Sequence, residues 1–169
     1  VSTHAVTVVG RDRPGIIAEV AGRLADLGLN LEDSSMTLLR GHFAMMLVCR
    51  GEASTHDLQD ALALGDGLTV AVQELPEKHA GEVAGTSWVL TVHGGDRAGI
   101  VAAVVRQVAR VEGNVTDLST RLAGDLYLLV AELELPPTAD VDVLRAAVAE
   151  VAEGLGVVAT LRPAETDEL

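Results

Sequence analysis

Two short stretches of this chain carry residues suited to binding a charged small molecule. Gly10–Val20 reads GRDRPGIIAEV and Gly94–Val104 reads GGDRAGIVAAV. In each, an acid, a base and a glycine stand just ahead of apolar residues at helical spacing. A helix N-terminus presents backbone N–H groups with no intrahelical acceptor, so it can receive a carboxylate or a phosphate. In the first copy Pro14 suits the first helical position, Asp12 lies near the positive end as a candidate cap, and Gly15 permits close approach of backbone. The second copy repeats these types with Asp96, Arg97 and Gly99, but has Ala98 where the first has Pro14, so its loop is expected to be less preorganised. Each loop is followed at the same distance by an asparagine, Asn30 or Asn114, expected to open the next strand. Asparagine is a poor strand residue, and its amide supplies both a donor and an acceptor. Beside a helix N-terminus, such an amide would grip both ends of a small zwitterion. The plainer reading is a well-made strand-to-helix turn.

The elements that position these residues occur twice. With an offset of 84 positions, residues 7–38 and 91–122 agree at fourteen of thirty-two places without a gap. Chance at average composition supplies about two. The chain is therefore a tandem duplication. In each half a β-branched run, HAVTVV or SWVLTV, leads into the loop. Ile17, Val20, Leu24 and Leu27 then recur at helical spacing, as do Val101, Val104, Val108 and Val111. Gly28 and Gly113 stand where a helix C-terminus takes a left-handed residue. Strands follow from Asn30 and Asn114, turns at Arg40–Gly41 and Gly124–Asp125, and strands again over HFAMMLVC and LYLLVAELEL. A second helix is expected from Ser54 or Thr55 and from Asp140, the latter with Val141, Leu144, Val148 and Val151 on one face. LTVAVQEL and GVVATLR read as closing strands. The order strand, helix, strand, strand, helix, strand, twice over, predicts an α+β protein of two tandem ferredoxin-like βαββαβ domains, each an antiparallel sheet covered by two helices. The expected boundaries are 1–77 and 87–163, joined by a polar linker at 78–86 and followed by a tail at 164–169.

Composition narrows the chemistry. The chain has 169 residues, 49% of them apolar, and a net charge of −13 from 25 acids against 12 Lys and Arg. Binding to nucleic acid rests on neutralising phosphates, so direct DNA or RNA contact is not expected. No apolar run approaches the ~20 residues of a membrane span. A lone cysteine, Cys49, and the lack of a basic segment followed by a long apolar run at the start lead to the expectation of a cytoplasmic protein. Gly10 to Gly15 and Gly94 to Gly99 share the glycine spacing of a phosphate-binding loop, but Ile rather than Lys follows, which argues against a nucleotide. RGHFAMML lacks the aromatics that stack on RNA bases. The five histidines show no metal-ligand spacing and read as surface or loop residues, and mid-strand Cys49 as a buried, inert thiol. No nucleophile elbow or acid–base constellation is present, so the expectation is no enzyme, no cofactor and no metal.

The pattern Asp, x, Pro, Gly, Ile at the end of the first strand, with Asn opening the second, resembles an ACT domain, and the resemblance covers residues 4–75 and 88–162. A pair of such modules is similar to the glycine cleavage system transcriptional repressor family. What the resemblance implies is a noncatalytic regulator that binds a small amino acid, of the glycine or serine class, between two modules and acts through a partner protein. A homodimer is among the assemblies it implies. Carried over, the ligand-binding positions are Asp12, Arg13, Pro14, Gly15, Ile16 and Asn30 in the first copy, with Asp96, Arg97, Gly99, Ile100 and Asn114 in the second. The alternatives are a regulatory subunit of an amino-acid metabolic enzyme and a scaffold with no ligand.

Overall fold

Alternation of side chains sorts the first strand. In the computed structural model, which describes residues 1–65, 67–76 and 85–165, β1 (Ser2–Arg11) turns His4, Val6 and Val8 to one face, all of them buried. The chain continues through α1 (Ile16–Asp26), β2 (Asn30–Leu39), β3 (His42–Gly51), α2 (Thr55–Ala61) and β4 (Leu68–Leu75). The second half repeats the order with β5 (Thr86–Gly95), α3 (Ile100–Arg110), β6 (Asn114–Ala123), β7 (Leu126–Leu135), α4 (Val141–Leu155) and β8 (Val157–Pro163). Two antiparallel sheets result, ordered β2-β3-β1-β4 and β6-β7-β5-β8, so the βαββαβ reading holds in both halves. The chain divides into two units, Val1–Ala80 and Gly81–Leu169, each with its own core. Residues 78–84 of the expected linker and 166–169 of the expected tail lie outside the described residues, as does His79.

Helix starts and stops follow local chemistry. Ser54 and Asp57 form a reciprocal capping box ahead of α2. The Asp140 carboxylate caps α4, accepting from the N–H groups of Asp142 and Val143 at 3.1 Å. At α1 and α3 the structure corrects the sequence reading. Pro14 is not the first helical residue and Asp12 is not the cap; Gly15 is the N-cap, with φ 89°, and no side chain caps the helix. A Cβ on Gly15 would meet nothing within 4 Å, so its left-handed backbone, not close approach, is what favours glycine there. The buried stripe of α1 is Ile16, Val20 and Leu24, whereas Ile17 faces solvent. The start is two residues later than Pro14 at N1 would require, and Ile16 rather than Ile17 begins the buried stripe.

Two further expectations change. At the end of α3 the left-handed residue is Glu112, with φ 57°, and not Gly113. Glu112 is the true counterpart of Gly28, and a Cβ on Gly113 would lie 2.7 Å from Leu135 Cδ2, so that glycine answers to packing. His4 is no surface residue but 1% exposed, because it shares the inward face of β1 with Val6 and Val8; its Nδ1 has no hydrogen-bond partner. His42, His56 and His93 are exposed. Cys49 is fully buried, and burial, with a smaller contribution from Glu32, pushes its thiol pKa up. Among the described residues no helix is long and apolar enough to cross a membrane.

Candidate functional site

The two cap glycines share one backbone conformation: Gly15 has φ 89° and ψ −2°, Gly99 φ 90° and ψ 1°. Ala98 in place of Pro14 thus leaves the capping geometry unchanged. Each loop is pinned to the neighbouring β-turn by one backbone bond, Asp12 N–H to the Gly41 carbonyl at 3.0 Å and Asp96 N–H to the Asp125 carbonyl at 3.2 Å. Gly15 and Gly99 carbonyls accept the first intrahelical bonds, from Glu19 and Ala103. With no side-chain cap, the first-turn N–H groups of both helices keep their capacity to receive an anion. Asp12, Pro14, Gly15, Asp96 and Gly99 are exposed around them. Ile16 and Ile100 are each 2% exposed and belong to the cores, so what they offer a ligand is a backbone N–H.

The arginines of the two loops differ. Arg13 Nη2 meets Glu19 Oε2 at 2.7 Å, and the other Glu19 oxygen accepts from Arg23 at 2.7 Å. Arg23 in turn donates to the Ala61 carbonyl at 2.7 Å, which ties α1 to the end of α2. The Arg13 hydrogen bond is the largest reason that the Glu19 carboxyl titrates below its ordinary range. In the second module Ala103 and Gln107 stand where Glu19 and Arg23 do. Arg97 is exposed there, lying beside Gly156 at the end of α4. This clamp was not part of the sequence reading, although Glu19 four residues ahead of Arg23 is a legible helical pair.

The asparagines are not where the loops are. Asn30 sits opposite Arg50, which lies opposite Thr3 at the beginning of β1. The loop follows Arg11 at the other end of that strand, beside His42 and Leu39. Thr3 and Arg11 are eight residue steps apart along the strand, or about 26 Å at the usual rise. Asn114, opposite Glu134 and hence Ser87, is equally far from Asp96. Within one module the amide and the helix N-terminus therefore cannot hold the same small molecule, which corrects the expectation that they lie side by side. Both asparagines are exposed on edge strands, and every residue of β2 is exposed.

The remaining glycines of the phosphate-loop-like spacing have packing roles. A Cβ on Gly10 would lie 2.6 Å from the Gly67 carbonyl, and one on Gly94 2.8 Å from Val157 Cγ1. Among the described residues no group of three or more His, Cys, Asp or Glu could hold a metal ion.

Fold and loops together define a tandem of ferredoxin-like modules. The ACT domain model matches residues 3–73. The chain is 40% identical over 70 residues to a UPF0237 protein of Streptococcus pneumoniae, covering 40% of this chain and 80% of that one. A UPF0237 protein of Methanopyrus kandleri is 55% identical over 49 residues, covering 28% of this chain and 54% of the relative. Among solved structures, an unknown protein from Galdieria sulphuraria matches with a TM-score of 0.80 and 26% identity, over 97% of this chain and 99% of that one. A protein provisionally described as a glycine cleavage system transcriptional repressor matches at 0.73 and 18% identity, over 98% of each chain, a likeness of fold. The chain belongs to the ACT-domain family, with a first module of the UPF0237 kind.

Proposed function

We propose that this protein is a noncatalytic sensor of a small amino acid, of the glycine or serine class, that passes its signal to a partner protein. The ligand would lie where two modules meet, whether of one chain or of two. The loop of one, Asp12 to Ile16 or Asp96 to Ile100, would receive the carboxylate, and Asn30 or Asn114 of the other would take the ammonium. The observation that carries this reading is the recurrence in both modules of an uncapped helix N-terminus at one end of the sheet and an exposed edge-strand asparagine at the other. Two edge strands paired antiparallel bring the start of one to the end of the next. That arrangement would close the separation of about 26 Å that one module cannot. Ligand binding would then favour one arrangement of modules and so change the surface shown to a partner. The net charge of −13 suits contact with protein better than with DNA, so any transcriptional role would be indirect, and a homodimer follows naturally from edge pairing.

Calorimetric titration with glycine, serine and the other common amino acids tests the reading, repeated on Asn30→Ala and Asn114→Ala. Saturable binding that weakens about tenfold or more in one variant is the expected result. Binding unchanged in both variants, or absent in the wild type, overturns it.

A further inference from the structure

A cleft of about 580 Å³ opens at the end of the first sheet remote from the glycine loop. Its polar walls are Thr3 from β1, Glu32 and Asp33 from β2, and Arg50 from β3, with Val48 and Leu75 as apolar ones. Three features set it apart from an ordinary hollow. The first is a β-bulge. The register runs Asn30 opposite Arg50 and Leu31 opposite Cys49, then passes to Asp33 opposite Val48, leaving Glu32 as the extra residue. Strict alternation sends consecutive side chains to opposite faces, whereas a bulge re-aims one of them. Here Glu32 and Asp33, neighbours in sequence, line the same cleft.

The second feature is uncommitted charge. No hydrogen bond or ion pair among the described residues ties Arg50, Glu32 or Asp33 to another side chain. One guanidinium and two carboxylates thus line a common space with no direct ion pair between them. The third is the comparison that the duplication provides. At the register position of Arg50 the second module has Glu134, and Thr116 stands for Glu32. Thr116 Oγ1 donates to the Glu132 carbonyl at 3.3 Å, and Glu134 Oε1 accepts from the Gly85 N–H at 3.3 Å. The corresponding hollow is about 300 Å³, with acids and no cation in its lining.

We propose that the cleft of the first module is a ligand site in its own right, for an amino acid that carries a second cationic group. Its α-carboxylate meets the Arg50 guanidinium, whose planar fork matches a carboxylate. Its two ammonium groups meet Glu32 and Asp33. The site's charges, one positive and two negative, complement a ligand with one negative and two positive. This site lies within one module and does not rest on the reading given above.

The test is an amide chemical-shift titration of the full chain with lysine, glycine and cadaverine, which has both amines of lysine and no carboxylate. Lysine is expected to shift Thr3, Val48 and Arg50 and to bind more tightly than glycine. Arg50→Gln should weaken lysine about tenfold or more without weakening cadaverine, and Asp33→Asn should weaken both. Both substitutions are at exposed positions, and thermal melts confirm that each variant is folded. Glu134→Gln, in the second module, should change neither. Lysine shifts confined to Gly15, Ile16 and Gly99, none at Arg50, or undiminished lysine binding in folded Arg50→Gln overturns the inference. Glycine or serine shifts at the loops report separately on the inter-module reading, so either proposal can fail alone.

Discussion

Glu19 shows how one carboxylate organises the first loop. It accepts from Arg13 and Arg23 at 2.7 Å each, and these two arginines would otherwise repel across the turn. Because the folded protein holds this carboxyl below its ordinary 4.5, the folded state favours the ionised form. The resulting stabilisation is fully present above that ordinary value and is lost as pH falls through the lowered one. Glu19→Gln is therefore expected to melt at lower temperature than the wild type at neutral pH. The two should converge on acidification below about 4.5. Melting curves across that window check it, and a constant gap at every pH would refute the assignment. Arg13 was legible in the sequence as a loop residue, but its partner was not, since the contact depends on where the first helical turn begins.

At the scale of elements, the two long helices that follow the loops start without a side-chain cap and rely on glycine. Gly15 and Gly99 share a left-handed backbone, and nothing crowds the space a methyl group would enter. Gly15→Ala and Gly99→Ala should each cost about 1–2 kcal/mol, the usual penalty of a left-handed residue that has a Cβ. Denaturant unfolding measures it, and a cost near zero would show that the turn relaxes. Sequence reasoning located both helices from their apolar spacing yet set the first residue of α1 too early. Pro14 is compatible with a first helical position as well as with the turn before it, and only the backbone angles separate the two. Likewise Gly113 and Glu112 compete for one left-handed position, and packing against Leu135 decides which of them needs to be glycine.

For the whole molecule, the two cores are built from separate sets of residues. Leu58 is fully buried in the first and Leu144 in the second. Leu58→Ala and Leu144→Ala should each remove about 2–5 kcal/mol, the range for leucine truncation in a packed core. Each variant is expected to lower the unfolding transition of its own module and leave the other in place, which calorimetry resolves as two transitions. A single transition shifted equally by both would show that the modules unfold as one unit. The duplication also bears on binding: the glycine caps stay alike, whereas the far ends of the sheets diverge, with Arg50 in one module and Glu134 in the other.

The sequence by itself determined the duplication, the order of elements and the place of the two loops, because periodicity, punctuation by glycine and self-similarity are local signals read along the chain. His4 was legible too, had its alternation with Val6 and Val8 been followed. Tertiary structure alone decided that Asn30 lies at the opposite end of the sheet from Asp12, since strand direction and register arise from pairing between distant segments. It also decided that Glu32, Asp33 and Arg50 face one cleft, which depends on a bulge that no local pattern announces. Side-chain identity is a property of the chain, but which identities converge is a property of the register.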